Sequence, residues 1–451
     1  MQLRSPVTFI MAAICLALPL NAVAQTDGQL PPGIWRSEGY GYIVVVKGDQ
    51  AQTFDVTSTS CVRGPRYTLS QFRSYYGDAQ DVGAPGAVLV RSPTRDHLER
   101  LDSMPTSCRK PLRSKDAAAN LGVFTQTFEE LYPFFEQRII DWPAATQSAR
   151  KQLGTSDLYS TLETLVRPLN DDHVAIDAGK RSYDPDTVNA PGVSPDGEAW
   201  SWRTLRASLR DYLQGSETPL SAPATLTANR RVLFGRMDDG IGYIAILAEG
   251  GWAEGQTDDV AAAEHTETAA NVMDEILNAL GDVRGVVVDL RANSGGFDAV
   301  AMEVTSRFAD ERRLAFRKGT RNAPVYEVFL EPSTKQRFTG PVAVLIGENT
   351  VSAGETAALA FAALPNAKLI GQPTRGSLSD AVPKTLPNGW TYTLSVETVM
   401  TPDGETVEVR GVKPDIVTAA PASNAPGEMW GRDLAAAALL LSSPGEMPGP
   451  K

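Results

Sequence analysis

Apolar and polar positions along this chain follow two periods, and the change of period divides it. Early on, "YIVVV" and "QTFDV" flank Lys47-Gly48-Asp49-Gln50, which predicts a β-hairpin. Continued to about Arg113, the pattern predicts a β-rich unit over 25–113. From Asp116 onward the period lengthens. Apolar residues at 121, 124, 128, 131, 135 and 139 have helical spacing, and "SDLYSTLETLVRPL" repeats it. A small helical unit is expected over 114–179.

A Pro-, Gly- and Asp-rich stretch at 180–199 then predicts a linker, with a helix before residue 230. Three short apolar runs follow: "IGYIAIL" (241–247), "GVVVDLR" (285–291) and "PVAVLI" (341–346). Long helical patterns, Asp258 to Leu280 and Phe297 to Arg312, separate them. Strands alternating with helices predict an α/β core with parallel strands over 230–420. The tail, 421–451, holds one predicted helix, "RDLAAAALLL".

Composition narrows the partners. The chain has 451 residues and a net charge of −12, and it lacks a Lys/Arg cluster in sequence. Nucleic acid is excluded as a partner on that ground. The opening "MQLRSPVTFIMAAICLALPLNAVAQ" reads as an export signal over 1–24. It has a charged start at Arg4, an apolar stretch from Thr8 to Leu20, and Ala22-Val23-Ala24 for cleavage. That stretch is too short to span a membrane comfortably. The expected location is periplasmic or secreted. There, Cys61 and Cys108 are expected to form one disulfide, with two free buried thiols as the alternative. Two cysteines and three histidines make a zinc site of known spacing improbable, and no metal or cofactor is expected.

The candidate chemistry starts at "GPVAVLIGENTVSAGETAALAFAAL". A buried-strand run ends at Ile346, polar turn residues follow, and an Ala/Leu-rich helix begins at Ala353. Ser352 stands at the helix start. It reads either as a capping serine or as a nucleophile facing free N–H groups. "DLRANSGG" (289–296) forms a second strand-to-helix loop whose glycines allow close approach of the backbone. An N–H-rich loop and a hydroxyl at strand carboxyl ends are the components of acyl transfer. Of the histidines, His97 lies in a charged segment and His265 lines up with Ala269 and Met273 on a helix. His173, in "PLNDDHVAI", has a loop position. The α/β-hydrolase arrangement is excluded, because position 350 is Thr and no histidine follows His265.

Read together, "LNDDHVAI", "GYIAIL", "DLRANSGG", "ENTVSAGETAALA", "GQPTRGS" and "VEVRGVKPDI" resemble the tail-specific, or C-terminal-processing, serine peptidases. That superfamily includes tricorn protease and the retinoid-binding repeats of the eye. The resemblance runs from about Phe124 to Ile416 and implies a Clp-protease/crotonase-like α/β core with protein or peptide substrates. It also implies Ser352 as nucleophile in Ser352-Ala353-Gly354-Glu355. Many such peptidases carry a lysine 25 residues downstream, but Ser377 stands there. Lys368 and Lys384 fall elsewhere in the pattern. No convincing PDZ module precedes the core.

The tricorn-like branch uses a histidine and a glutamate instead, which implies His173 as base and Glu408 as its orienting acid. Asp172 stands where that branch has a serine, and as an acid it is a further catalytic candidate, able to orient the imidazole. Gly295 and Ala353 N–H groups are implied as the oxyanion hole. On pattern alone, "GETVEVRGVKPDI" predicts a strand with Glu408 on its polar face. A catalytically silent binding protein of the same fold is the alternative function. A crotonase-like acyl-CoA enzyme is disfavoured by the export signal.

Overall fold

Seven strands form the central sheet, in the order Thr225–Thr227, Val232–Arg236, Ile241–Ile246, Gly285–Asp289, Val342–Ile346, Ala367–Gly371 and Ile416–Val417. The first two joins are antiparallel and the remaining four parallel. This is a computed structural model, and it describes residues 28–81, 86–185, 201–216, 218–255, 262–419 and 426–442. The expected export signal, most of the linker and the first turn of the 258–280 helix lie outside the described residues.

Every residue of Ile241–Ile246, Gly285–Asp289 and Val342–Ile346 is buried. The cause is cover on both faces, which parallel sheets require and which makes their strands continuously apolar. Helices Ala262–Leu280, Asp298–Ser306 and Ala353–Ala362 pack on one face around Val286, Val288 and Val344. Helices Trp202–Gln214 and Pro426–Ser442 cover the other, through Leu205, Leu209, Trp430 and Leu434. The three parallel strands read from the sequence are therefore adjacent at the centre of the sheet.

The N-terminal β-rich region is a second seven-stranded sheet, wholly antiparallel. It runs from Gly33–Ser37 to Thr94–Leu101, with the predicted hairpin Tyr42–Lys47/Gln50–Val56 inside it. Cys61 and Cys108 are joined by a disulfide. The helices Ala117–Leu131, Trp142–Gln152 and Leu158–Val166 share one hydrophobic core with this sheet. That core also takes in Tyr392 and Leu394 from the strand Thr391–Ser395.

Three sequence expectations are corrected. The helical period at 135 and 139 does not continue, because Pro133 ends the helix at Leu131. Ile139 instead has φ 57° and is 92% exposed. The helix expected from Phe297 to Arg312 ends at Ser306, and a strand, Arg313–Thr320, begins just after that range. Finally, Glu408 lies in a turn rather than a strand, and Val409 beside it has φ 71°. Alternation over five residues matched a strand by coincidence.

Candidate active site

The parallel strands Gly285–Asp289 and Val342–Ile346 pair in register, Asp289 against Leu345, so their following loops emerge side by side. The first loop carries Asn293 to Gly296 and the second carries Ser352. Val351 N–H donates to the carbonyl of Asn293 at 3.0 Å, and Thr350 Oγ1 donates to the carbonyl of Leu290 at 2.9 Å. These bonds hold the two loops together.

Ser352 has φ 55° and ψ −122°. A capping serine takes extended backbone with negative φ, so this is not ordinary cap geometry. Such a conformation in a non-glycine residue costs ~1–3 kcal/mol and needs support. The support is Glu355, a buried carboxyl. It accepts from Ser352 N–H at 3.2 Å, Gly376 N–H at 2.7 Å, Ser377 N–H at 2.8 Å and the Thr374 hydroxyl. Burial pushes its pKa up to about 7, against these donors, which lower it. Ser352 N–H also donates to the carbonyl of Ser377 at 3.1 Å.

Gly295 lies directly against the serine. A Cβ built there would stand 2.7 Å from Ser352 Cβ and 2.8 Å from the Val351 carbonyl, and its φ is +82°. Only glycine fits. Its N–H, however, donates to Asn293 Oδ1 at 2.8 Å. Asn293 in turn donates to Glu249 at 2.6 Å. Ala353 N–H, at the first position of the helix, has no acceptor among the described residues. Of the two implied oxyanion donors, Ala353 is open and Gly295 is occupied.

His173 reaches the site on the loop after Leu158–Val166. Its N–H donates to Asp171 Oδ1 at 2.9 Å, and its buried Nδ1 has no hydrogen-bond partner. Asp172 accepts from Ser377 Oγ at 3.1 Å. Through Ser377 the histidine loop is thus one residue away from Ser352. Glu408 is 1% exposed. It accepts from Leu378 N–H at 2.8 Å and Ser379 N–H at 3.2 Å, and it pairs with Arg138 at 3.2 Å. Arg138 also pairs with Asp171 at 3.5 Å. Glu408 therefore reaches His173 through Arg138 and Asp171 rather than by touching the ring. Burial first, then Asp171, raises its pKa well above the ordinary value.

The remaining candidates fall outside. His97 is exposed on a strand. His265 is buried, accepts from Ala253 N–H at 3.0 Å and stacks on Phe297. Lys368 pairs with Asp415, and Lys384 is buried against the Tyr40 and Gly41 carbonyls. Sequence reasoning missed Asp380 and Lys318. Burial opposes ionisation of Asp380, but Lys318, Arg91 and His173 outweigh it and hold its pKa below the ordinary carboxylate value. Asp380 is thus within electrostatic reach of His173. Burial lowers and Asp380, Glu397 and Asp298 raise the pKa of Lys318, which ends well above its ordinary value. Lys318 stays charged and cannot act as a base. Neither residue has a local pattern that would mark it.

Residues 240–418 match the model of Peptidase family S41. That range contains Gly295, Ser352, Ala353 and Glu408, whereas Asp172 and His173 precede it. Carboxy-terminal processing protease CtpA of Bacillus subtilis is 28% identical over 153 residues, covering 34% of this chain and 32% of the relative. A carboxy-terminal-processing protease of Bartonella bacilliformis is 27% identical over 248 residues, covering 50% and 53%. The chain thus spans between a third and about half of the length of these curated relatives. Among solved structures, a putative peptidase from Parabacteroides merdae is 20% identical with a TM-score of 0.57. The match covers 73% of this chain and 97% of that one. Mature CPAF is 12% identical with a TM-score of 0.52, covering 74% and 99%. At these identities the structures show the shared α/β fold, and the family resemblance rests on the sequence matches.

Proposed function

We propose that this chain is an exported serine peptidase that hydrolyses peptide bonds in protein or peptide substrates. The observation that carries the reading is the Ser352 turn. A serine held at φ 55° sits between a glycine that only glycine can replace and an open Ala353 N–H. In this reading, Ser352 Oγ attacks the substrate carbonyl carbon and its proton passes to His173. The carbonyl oxygen, now an anion, meets Ala353 N–H, and Gly295 N–H turns to it from Asn293. His173 then gives the proton to the leaving amine, and water hydrolyses the acyl ester by the reverse roles. Asp380 supports the charged imidazole by its own charge. Glu408 holds the histidine loop through Arg138 and Asp171.

The second reading is a silent binding protein of the same fold. It is favoured by the unpartnered His173 Nδ1 and the occupied Gly295 N–H. A fluorophosphonate probe separates the two, since it labels only an activated serine. Labelling of wild type that is lost in Ser352→Ala and in His173→Ala supports the peptidase. No labelling, with no cleavage of a mixed peptide library, supports the silent protein.

A further inference from the structure

An open cavity of about 710 Å³ lies beside the 289–296 loop, lined by Arg203, Arg206, Arg210, Arg230 and Arg231. Among the described residues, no acidic residue lines it. Three of the arginines share one face of the helix Trp202–Gln214, at positions i, i+3 and i+7. Arg230 closes a bend in which Ala228, Asn229 and Arg230 all have positive φ, and Arg231, next in the chain, donates to the Gly250 carbonyl at 2.9 Å. Five guanidinium groups around one cavity, in a chain of net charge −12, form a local reversal of sign.

The cleft touches the loop that carries Gly295. Arg206 donates to Ser294 Oγ, next to Gly295. Leu247, another lining residue, accepts from Ser294 N–H at 3.2 Å. Nearby Glu249 does not cancel the charge. Burial raises its pKa to about 8, so it is largely protonated at neutral pH. Among the described residues, Arg210 pairs with the exposed Asp211, at 3.5 Å.

We propose that this cleft binds an acidic segment of the peptide substrate, a run of Asp or Glu carboxylates, beside the catalytic loop. The proposal rests on the peptidase reading for its ligand being a peptide. A single monovalent anion would leave most of the guanidinium groups unused. Along the helix the arginines span about 10 Å, at 1.5 Å per residue, which an extended peptide of three to four residues matches. Arginine forks suit carboxylates in pairs, and such contacts weaken with salt.

The test uses the full chain as Ser352→Ala, which cannot turn over its ligand. Fluorescent peptides, one neutral and one carrying four consecutive Glu, are titrated at low and high salt. The acidic peptide should bind at least ~10-fold tighter at low salt, with the advantage lost at 0.5 M salt, roughly a 4 Å screening length. Adding Arg203→Glu and Arg210→Glu should remove the preference and spare binding of the neutral peptide. Arg150→Glu with Lys151→Glu, the same charge change on the exposed end of another helix, should leave the preference intact. Equal binding of the two peptides, or a preference that survives the Arg203/Arg210 reversal, overturns the proposal. So does arginine-dependent binding of tripolyphosphate without binding of the acidic peptide. Cleavage of neutral peptides by the wild type is scored separately, so loss of the acidic preference alone leaves the peptidase reading standing. Absence of any cleavage counts against that reading while the binding data still decide the cleft.

Discussion

At the scale of single residues, Ser352 joins strain to position. Its φ of 55° and ψ of −122° lie in a region that glycine enters freely and other residues do not. Ser352→Gly should therefore be more stable than both wild type and Ser352→Ala by about 1 kcal/mol, while both variants lose probe labelling. Urea denaturation checks this, and equal midpoints for the Gly and Ala variants would show that no strain is stored. Glu249 gives a second residue-scale prediction. Its folded pKa of about 8 stands above the ordinary 4.5. Between those values the native state keeps a proton that the unfolded chain has lost, so stability falls as pH rises. The loss begins above pH ~4.5 and is complete above pH ~8. Glu249→Gln lacks this titration. Measured at pH 5, 6.5 and 8, the wild type should lose stability relative to the variant. A constant difference across that range would show that Glu249 is ionised throughout.

At the scale of elements, the 376–379 segment ties the site together. Ser377 faces both Ser352 and Asp172, while the Leu378 and Ser379 N–H groups are held by Glu408. Glu408→Gln replaces one of the two acceptor oxygens, which loosens either the contact with Arg138 or the hold on the Leu378 and Ser379 N–H groups, and with it the Asp171 grip on the His173 N–H. Glu408→Gln should lower kcat by ~10- to 100-fold with KM little changed. That is below the ~10⁴-fold lost when the directly bonded acid of a serine-protease triad is changed. Glu405→Gln, an exposed carboxylate paired with Lys413 at 3.2 Å, should stay near wild type. Equal turnover in the two variants would remove Glu408 from the mechanism.

At the scale of the whole molecule, the N-terminal sheet is built into the region that carries the candidate site. It shares a core with the helices that carry the His173 loop and with Tyr392 and Leu394. Polar contacts add to this: the half-buried pair of Arg91 with Asp380, and the buried bonds of the Tyr40 hydroxyl with Glu397 and of Lys384 with the Tyr40 carbonyl. Unfolding the sheet would leave these groups unpaired. Thermal unfolding should therefore be one transition that takes activity with it. The disulfide closes a separation of 47 residues, a length for which chain entropy gives about 4 kcal/mol. Cys61→Ser with Cys108→Ser should lower that single midpoint. Two transitions, with an active core outliving the sheet, would show that the regions are independent.

Some of this was written in local sequence, because its cause is local. Continuous apolar runs at 241–247, 285–291 and 341–346 identified the buried parallel strands, since a strand covered on both faces has no polar side. The position of Ser352 between a strand end and an Ala-rich helix was equally legible, as was the glycine demand of the 294–296 loop. Six motifs in order carried the family resemblance. The tertiary structure decided what depends on distant partners. On pattern alone Glu408 read as a surface carboxylate on a strand, while the family resemblance implied an orienting acid; Arg138, 270 residues away in sequence, pairs with it in the interior. Asp380 and Lys318 gain their charge relations only from chain crossings that no spacing encodes. The five arginines of the cleft lie in two segments whose convergence the folding of the sheet imposes. Whether a backbone N–H is open or taken, as at Ala353 and Gly295, is settled by neighbours rather than by residue type. Short-range pattern sets which elements form, and long-range packing sets which charges and donors those elements leave available.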